Sequence, residues 1–124
     1  MTASGTISSY RDLTVWQASV ELAVACYRIT SAFPGSETYG MTSQIRRAST
    51  SIAASIAEGH GRESTVSFIQ FLRIAQGSLK ELETHPIISG RVGLLTDDDI
   101  AVLLRQSNEI GRMLRAMMRS LQQK

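Results

Sequence analysis

Apolar residues recur along most of the chain at intervals of three and four, the spacing of one face of an α-helix. Four segments carry this pattern. The first covers residues 13–33 and ends at the turn "FPG", and the second covers residues 38–58 and ends at "GHG". The third begins after Ser64 and the fourth after Thr96. No segment alternates as a strand does, so the sequence predicts an all-α protein, an antiparallel up-down-up-down four-helix bundle.

The first segment is apolar on two sides. One stripe contains Trp16, Val20, Ala23 and Tyr27, and the stripe on the far side contains Val15, Ala18, Leu22, Ala25, Cys26 and Ile29. A helix that is apolar nearly all round is buried on both sides. Because one small bundle has room for only one of these stripes, we expect the second to contact another subunit.

The second segment also has two packing faces. Its core stripe contains Met41, Ile45, Ala48, Ile52 and Ile56, and its opposite face contains Arg47, Thr50, Ser51, Ala54 and Glu58. Arg47 and Glu58 are eleven residues apart, about 16 Å along a helix, so their partners are expected on another helix or chain. The predicted oligomer interface consists of Val15, Leu22, Ile29, Arg47, Ala54 and Glu58.

The helix ends carry local signals. Ser64 is expected to cap the third helix, and Thr96 with Asp97–Asp99 behind it to cap the fourth. Gly59 or Gly61 is expected to end the second helix in a left-handed conformation. The core stripes of the third and fourth helices contain Phe68, Phe71, Leu72, Ala75, Leu79 and Leu82, then Ile100, Leu103, Ser107, Ile110, Leu114, Met117 and Leu121.

Two residues of the third helix break its pattern. Pro86 has no backbone N–H and is expected to kink or end the helix. Gly77 lies in mid-helix, where glycine indicates either the close approach of a neighbour or simple tolerance.

Length and composition fit one small globular domain. The chain has 124 residues, 43% of them hydrophobic, which predicts a loose tail over residues 1–11 and a single bundle over residues 12–124. The one cysteine, Cys26, excludes an internal disulfide and fits a reducing cytoplasm. No apolar run approaches the roughly 20 residues of a membrane span.

The positive charge is almost all arginine. Eleven of the thirteen basic residues are Arg, although the net charge is only +2. One face of the fourth helix carries Arg105, Arg112, Arg115 and Arg119. Such a stripe can contact nucleic-acid phosphates, with Arg46 and Arg47 as secondary candidates. The alternatives are a solvated outer face, Arg–Glu pairs between subunits, and an Arg-rich composition inherited from a GC-rich genome.

Catalytic and metal-binding patterns are weak. His60 lies in a glycine turn and His85 precedes Pro86, and neither has a second ligand at metal spacing. Asp97–Asp99 are expected to serve as capping residues and Cys26 as a packed, inert thiol. The sequence therefore predicts a protein that is not an enzyme and has no catalytic residues, cofactor or metal.

Several blocks resemble a known family. They are "DLTVWQAS" at 12–19, "FPGSETYGMTSQIRRAS" at 33–49, "SIAEGHGR" at 55–62 and "FIQFLRIAQGSLKELET" at 68–84. In this order they are similar to the four-helix-bundle proteins encoded in intervening sequences of bacterial 23S ribosomal RNA genes. The accessory variability determinant of diversity-generating retroelements has the same fold.

The resemblance implies a homopentameric ring of bundles in the cytoplasm. It also implies RNA or DNA as a partner, and a reverse transcriptase only if the gene is linked to a retroelement. Arg46, Arg47, Glu58 and Arg62 fall in the family motifs and are expected to serve the fold and the assembly. A protein-interaction scaffold without nucleic-acid contact is the alternative.

Overall fold

The computed structural model describes residues 9–123, and the regular structure in that range is helical. Four α-helices follow in order: α1 (Thr14–Thr30), α2 (Met41–His60), α3 (Thr65–Arg91) and α4 (Asp97–Gln122). Single 3₁₀ turns lie at Tyr10–Asp12 and Gly35–Glu37. The prediction of an all-α protein with four helices is confirmed, since no strand occurs within residues 9–123.

The 3₁₀ turn at Tyr10–Asp12 overlaps the end of the predicted N-terminal tail. The predicted tail covers residues 1–11, of which residues 1–8 lie outside the described range. Ser9 and Asp12 form a capping box around the 3₁₀ turn, and the Tyr10 ring packs edge-on against Trp16 at a centroid distance of 5.2 Å. Residues 9–11 are therefore part of the folded unit, because these contacts hold the turn against α1.

Each helix packs against its neighbours in the chain, and α4 also packs against α1, so the four helices enclose one core. The late part of α2 meets the early part of α3, where a Cβ on Gly59 would lie 2.5 Å from Phe71 Cβ. Further along, Ser51 Oγ and Ser78 Oγ are 2.9 Å apart. The absence of a side chain at Gly59 therefore lets α2 and α3 approach closely at the corner that joins them.

The core is built from the predicted stripes of α2, α3 and α4. Burying one Leu or Ile side chain contributes about 1.5–3 kcal/mol, and large fully buried residues come from every helix. They are Leu22, Ile45, Ile52, Ile56, Leu72, Leu79, Leu82, Ile110 and Leu114. The predicted caps are also present, because Ser64 accepts from the Ser67 N–H and Thr96 accepts from the Asp99 N–H.

The predicted orientation of α1 is wrong. Val15 and Leu22 were expected at a subunit interface, yet they are 3% and 0% exposed and lie in the core. Ile29 is half-buried and packs against the same core. The inward stripe also includes Ser19 and Thr30, whose hydroxyls donate to carbonyls of α1 itself. Their polar groups are thereby satisfied, so this side of the helix packs as an apolar one.

The outer side of α1 carries the other stripe. Trp16, Val20 and Ala23 are half-buried, while Val24 and Tyr27 are exposed. The apolar surface that α1 presents to solvent is therefore the stripe that was not predicted to form the interface.

Helix α3 continues through Pro86, which is buried, and ends one turn later at Arg91. The stop is at Gly93, which has a φ of +86°. There the Leu94 N–H donates to the Ser89 carbonyl and the Gly93 N–H to the Gly90 carbonyl, the pattern of a Schellman motif. The helix thus ends at a left-handed glycine and not at the proline.

The end of α2 also differs from the prediction. Gly59 lies within the helix, and Gly61 has a right-handed φ of −73°. The left-handed residue of this turn is Glu63, with a φ of +58°. Gly59 is required here for close packing against Phe71, and not for a left-handed cap.

Candidate nucleic-acid interface

Helix α4 turns one face outward because the opposite face is buried. Leu103, Ser107, Ile110 and Leu114 are buried, at spacings of four, three and four. The three aspartates of its first turn, Asp97–Asp99, lie at the positive end of the helix dipole, six residues or more from the arginines. These three acidic residues are thereby separated from the arginines along the helix, whereas Glu109 lies among them.

The four arginines of α4 are all exposed. Arg112 lies near an acid on its own helix, with Nη2 3.8 Å from Glu109 Oε2. Within residues 9–123, the side chains of Arg105, Arg115 and Arg119 make no hydrogen bond or ion pair. We call these four residues the arginine stripe. Most of its charge is therefore not neutralised by the protomer.

Arg115, a member of the arginine stripe, also lines a groove between α3 and α4. We call this the α3–α4 groove; its volume is about 310 Å³, and it is lined by Arg73, Gln76, Gly77, Leu79, Lys80, Gly111 and Arg115. Its lining includes three cations and no carboxylate. Sequence reasoning missed Arg73 and Lys80. Arg73 lies four residues before Gly77 and Lys80 lies three residues after it, and this spacing was the signal in the sequence. Only the packing of α3 against α4 shows that they face Arg115.

Gly77 has no close neighbour in the protomer. A Cβ built there would meet no atom within 4 Å. Of the two explanations considered for this glycine, the close approach of another helix is therefore excluded within the described residues.

Arg105 occupies a different environment. It lines a groove of about 360 Å³ between α1 and α4 together with Ala18, Glu21, Gln106, Glu109 and Ile110. Two carboxylates share this groove with one arginine. The positive charge of the stripe is therefore strongest toward the C-terminal end of α4, near Arg115 and Arg119.

Arg46 and Arg47 are neighbours in the chain with different surroundings. Arg46 is half-buried: its Nε donates to Thr30 Oγ1 at 2.9 Å, and its guanidinium lies 4.5 Å from the centre of the Tyr27 ring. It also donates to the Tyr27 carbonyl at 3.4 Å, so it binds the C-terminal end of α1. Arg47 is exposed and donates only to Gln44 of its own helix, at 3.3 Å.

The partner of Glu58 is local. Arg62 Nη2 lies 3.1 Å from Glu58 Oε2, one helical turn away, and both side chains are more than half exposed. The expectation that Arg47 and Glu58 need partners on another helix or chain is therefore wrong, because each finds one within four residues. Arg47, Ala54 and Glu58 are all exposed, so their place in an oligomer interface stays a prediction.

The outer side of α1 forms an apolar groove with α2. We call it the α1–α2 groove; it has a volume of about 390 Å³ and is lined by Val20, Ala23, Val24, Tyr27, Arg28, Thr50 and Ala53. Val24 is 36% exposed and Tyr27 44%. Small residues on α2 leave this groove open, so an accessible apolar groove lies between these helices.

A family model described as "23S rRNA-intervening sequence protein" matches residues 11–116. The chain belongs to this family. A crystal structure of a protein of unknown function from the S23 ribosomal protein family of Bacteroides thetaiotaomicron is similar, with a TM-score of 0.76 and 28% identity. The similarity covers 85% of this chain and 98% of that one. The search of curated proteins found no match.

The resemblance stated from the motifs is thereby confirmed. In this family member, burial raises the pKa of the Cys26 thiol to about 12, and a hydrogen bond with Ser49 opposes the shift. His60 packs edge-on against Phe68 at 5.7 Å. No cluster of three or more His, Cys, Asp or Glu that fits a metal ion occurs within residues 9–123. No described helix is long and apolar enough to cross a membrane.

Proposed function

We propose that this protein binds the sugar–phosphate backbone of RNA or another structured nucleic acid through the arginine stripe. The observation that carries the proposal is that Arg105, Arg115 and Arg119 are exposed and have no acidic partner within residues 9–123. Guanidinium groups bind phosphate oxygens in a bidentate way, and each phosphate contact releases counterions from the nucleic acid. No aromatic side chain interleaves with the stripe, so a duplex is favoured over stacked single strands.

We further propose that the helices run up-down-up-down and that five protomers assemble as a ring in the cytoplasm. The antiparallel order is supported by contacts such as Gly59 with Phe71 and Gly90 with Ile100, which pair late residues of one helix with early residues of the next. The assembly is supported by the α1–α2 groove, whose apolar lining a second copy can cover. A ring would repeat the stripe and strengthen its field.

The binding proposal is tested by replacing Arg105, Arg112, Arg115 and Arg119 with Gln and measuring duplex RNA binding by filter retention across salt concentrations. We expect weaker binding and a salt slope that is lower by about 0.9 for each phosphate that the variant no longer neutralises. The matched control replaces four exposed arginines elsewhere: Arg11, Arg28, Arg62 and Arg91. Equal affinities for the wild type, the stripe variant and the control would contradict the proposal.

The assembly proposal is tested with two valine variants. Val24→Asp puts a carboxylate in the α1–α2 groove, and Val66→Asp puts one on α3 at a valine that is 69% exposed. Burying an unpaired carboxylate in an interface is strongly unfavourable. We therefore expect light scattering to show dissociation of the Val24 variant but not of the Val66 variant. A wild-type monomer at micromolar concentration would refute the ring.

A second candidate function is a scaffold that binds another protein, and the α1–α2 groove is the observation that favours it. A reverse transcriptase would be the partner only for a retroelement-linked gene. The discriminating experiment is affinity capture after nuclease treatment, with Val24→Asp as the control. A defined partner that is retained by the wild type and lost by the variant would favour the scaffold. We propose that neither role involves catalysis, and a metal-dependent activity of the purified protein would contradict this.

A further inference from the structure

We propose that the α3–α4 groove is the principal phosphate-binding site of the protein and that α3 contributes two of its three cations. This inference rests on the proposed nucleic-acid binding and deepens it, because it moves the main contact from the outer face of α4 to the groove. The groove combines Arg73 and Lys80 of α3 with Arg115 of α4. Three cations that converge on one groove attract a polyanion more strongly than the same charges spread along one helix.

The Arg115 guanidinium lies over Gly111 at the groove. Its Nη1 lies 3.4 Å from the position that a Cβ of Gly111 would occupy, which is an ordinary van der Waals distance, so the side chain folds back over that glycine. The guanidinium has five N–H donors, and none of them meets an acceptor within residues 9–123. The groove thus presents a guanidinium whose donors are available to a phosphate.

Lys80 is also available to a ligand, although it has a partner. Its Nζ is 3.3 Å from Glu83 Oε1, while its side chain remains 72% exposed. The second oxygen of Glu83 accepts from Ser107, so the carboxylate is also bound to α4. Glu83 does not line the groove. A phosphate in the groove can therefore contact the Lys80 ammonium without displacing Glu83.

Gly77 forms a bare part of the groove wall. Glycine in a helix interior destabilises the helix relative to alanine, and no close packing within the protomer offsets this at position 77. Without a side chain between Arg73 and Lys80, the backbone of a nucleic acid can approach α3 closely. Binding of a ligand supplies the reason for this glycine that packing does not.

The decisive experiment compares Gly77→Glu with Gly77→Ala. A glutamate at position 77 lies four residues after Arg73 and three before Lys80, so it can pair with both and neutralise the groove. The site has open space for either side chain. We expect Gly77→Glu to weaken binding of a short RNA duplex at least tenfold, and Gly77→Ala to change it less than twofold. A DNA duplex of the same sequence distinguishes RNA from a general phosphodiester ligand.

A second pair of variants removes charge without adding any. Arg73→Gln with Lys80→Gln should lower the salt slope by about 1.8, the value for two phosphates that are no longer neutralised. The control, Arg11→Gln with Arg91→Gln, removes the same charge elsewhere and should leave the slope within about 0.5 of the wild type. Equal slopes for the two double variants would overturn the inference.

The outcomes separate this inference from the function on which it rests. If the wild type binds neither duplex, both fail. If Arg105→Gln with Arg112→Gln and Arg119→Gln weakens binding while Gly77→Glu does not, the stripe binds nucleic acid and the groove does not, so only the inference fails. If Gly77→Glu changes the oligomeric state in light scattering and Gly77→Ala does not, the groove is a protein contact and the inference is overturned.

Discussion

The two sides of the bundle share one core but have opposite surfaces. On the α1–α2 side the groove is lined almost entirely by apolar and small residues, with Val24 and Tyr27 exposed. On the α3–α4 side the groove contains Arg73, Lys80 and Arg115. All four helices contribute buried apolar residues to the core. The difference between the two sides therefore arises outside the core, where it does not serve the folding of one protomer.

The two surfaces favour different partners for a physical reason. The transfer of apolar side chains out of water is favourable in free energy, so the α1–α2 groove is suited to contact with protein. Burying cations is unfavourable unless each one is paired. The α3–α4 groove is therefore suited to a hydrated polyanion. We propose that one side of the bundle joins copies of the chain and the other side faces nucleic acid.

The largest expected effect tests which side of α1 is inward. Leu22→Ala removes a side chain that is 0% exposed and should lower the free energy of unfolding by about 3 kcal/mol. Val24→Ala, two residues away on the outer side, should lower it by less than about 0.5 kcal/mol. Urea denaturation followed by circular dichroism measures both. A greater loss for Val24→Ala would reverse the assignment of the two stripes.

The next prediction compares the loss of stability on replacing Arg46 with the loss on replacing Arg47. Arg46→Ala removes the bonds to Thr30 and to the Tyr27 carbonyl and the stacking on the Tyr27 ring, so the free energy of unfolding should fall by about 2 kcal/mol. Arg47→Ala should change it by less than about 0.5 kcal/mol. Thermal denaturation at matched concentration provides the comparison. Equal melting temperatures would show that Arg46 does not hold α1 against α2.

An effect that appears only at alkaline pH follows from the burial of Cys26. Its pKa rises from 9.0 to about 12 on folding, so the folded state holds the thiol proton more tightly than the unfolded state. The neutral thiol thus favours folding below pH 9, and this contribution falls by up to about 1.4 kcal/mol per pH unit above it. Cys26→Ala should flatten the loss of stability between pH 9 and pH 12.

The thiol also provides a kinetic measurement. Native protein at pH 8 should react with a thiol reagent far more slowly than protein unfolded in urea, because the thiolate is the reactive form. A native rate equal to the unfolded rate would place Cys26 on the outer side of α1.

The smallest effect concerns the exposed pair of Glu58 and Arg62. Both side chains are more than half exposed, so Glu58→Gln should lower the free energy of unfolding by less than about 0.5 kcal/mol. Arg62→Gln is the matched variant and should behave alike. A change of oligomeric state in either variant, measured by light scattering, would instead support the predicted place of Glu58 in a subunit interface.

The helices and two of their starts could be predicted from the sequence because the signals are local. The hydroxyls of Ser64 and Thr96 bond to N–H groups three residues away, and no other part of the molecule affects these bonds. The effect of Pro86 as a possible helix end could not be judged locally. Helix α3 continues past it to the Schellman motif at Gly93, so the packing of the surrounding helix outweighs the one hydrogen bond that proline cannot make.

The inward side of α1 could not be predicted from periodicity because both sides have apolar residues at helical spacing. Ser19 and Thr30 are polar residue types, yet they are buried with their hydroxyls bonded to α1 carbonyls. Counting them with Val15, Leu22 and Cys26 would have extended the inner stripe by two positions. Self-satisfied hydroxyls are therefore the signal that distinguishes the two sides.

The α3–α4 groove could not be predicted from the sequence for a different reason. The arginines of α4 were visible as a stripe, but the groove depends on which face of α3 lies beside Gly111. That relation is set by contacts such as Leu79 with Gly111, which join residues far apart in the chain. Charged residues on two helices form one site only after the helix pair is oriented.

Arg46 has a practical consequence for the loop between α1 and α2. Its bonds to Tyr27 and Thr30 fasten the two helices together across that loop, while Tyr39 at the far end of the loop is 97% exposed. The contact between the two helices therefore does not depend on the peptide link alone. New termini opened beside Tyr39, or a fluorescent tag inserted there, would leave the bundle closed and give every subunit an addressable marker.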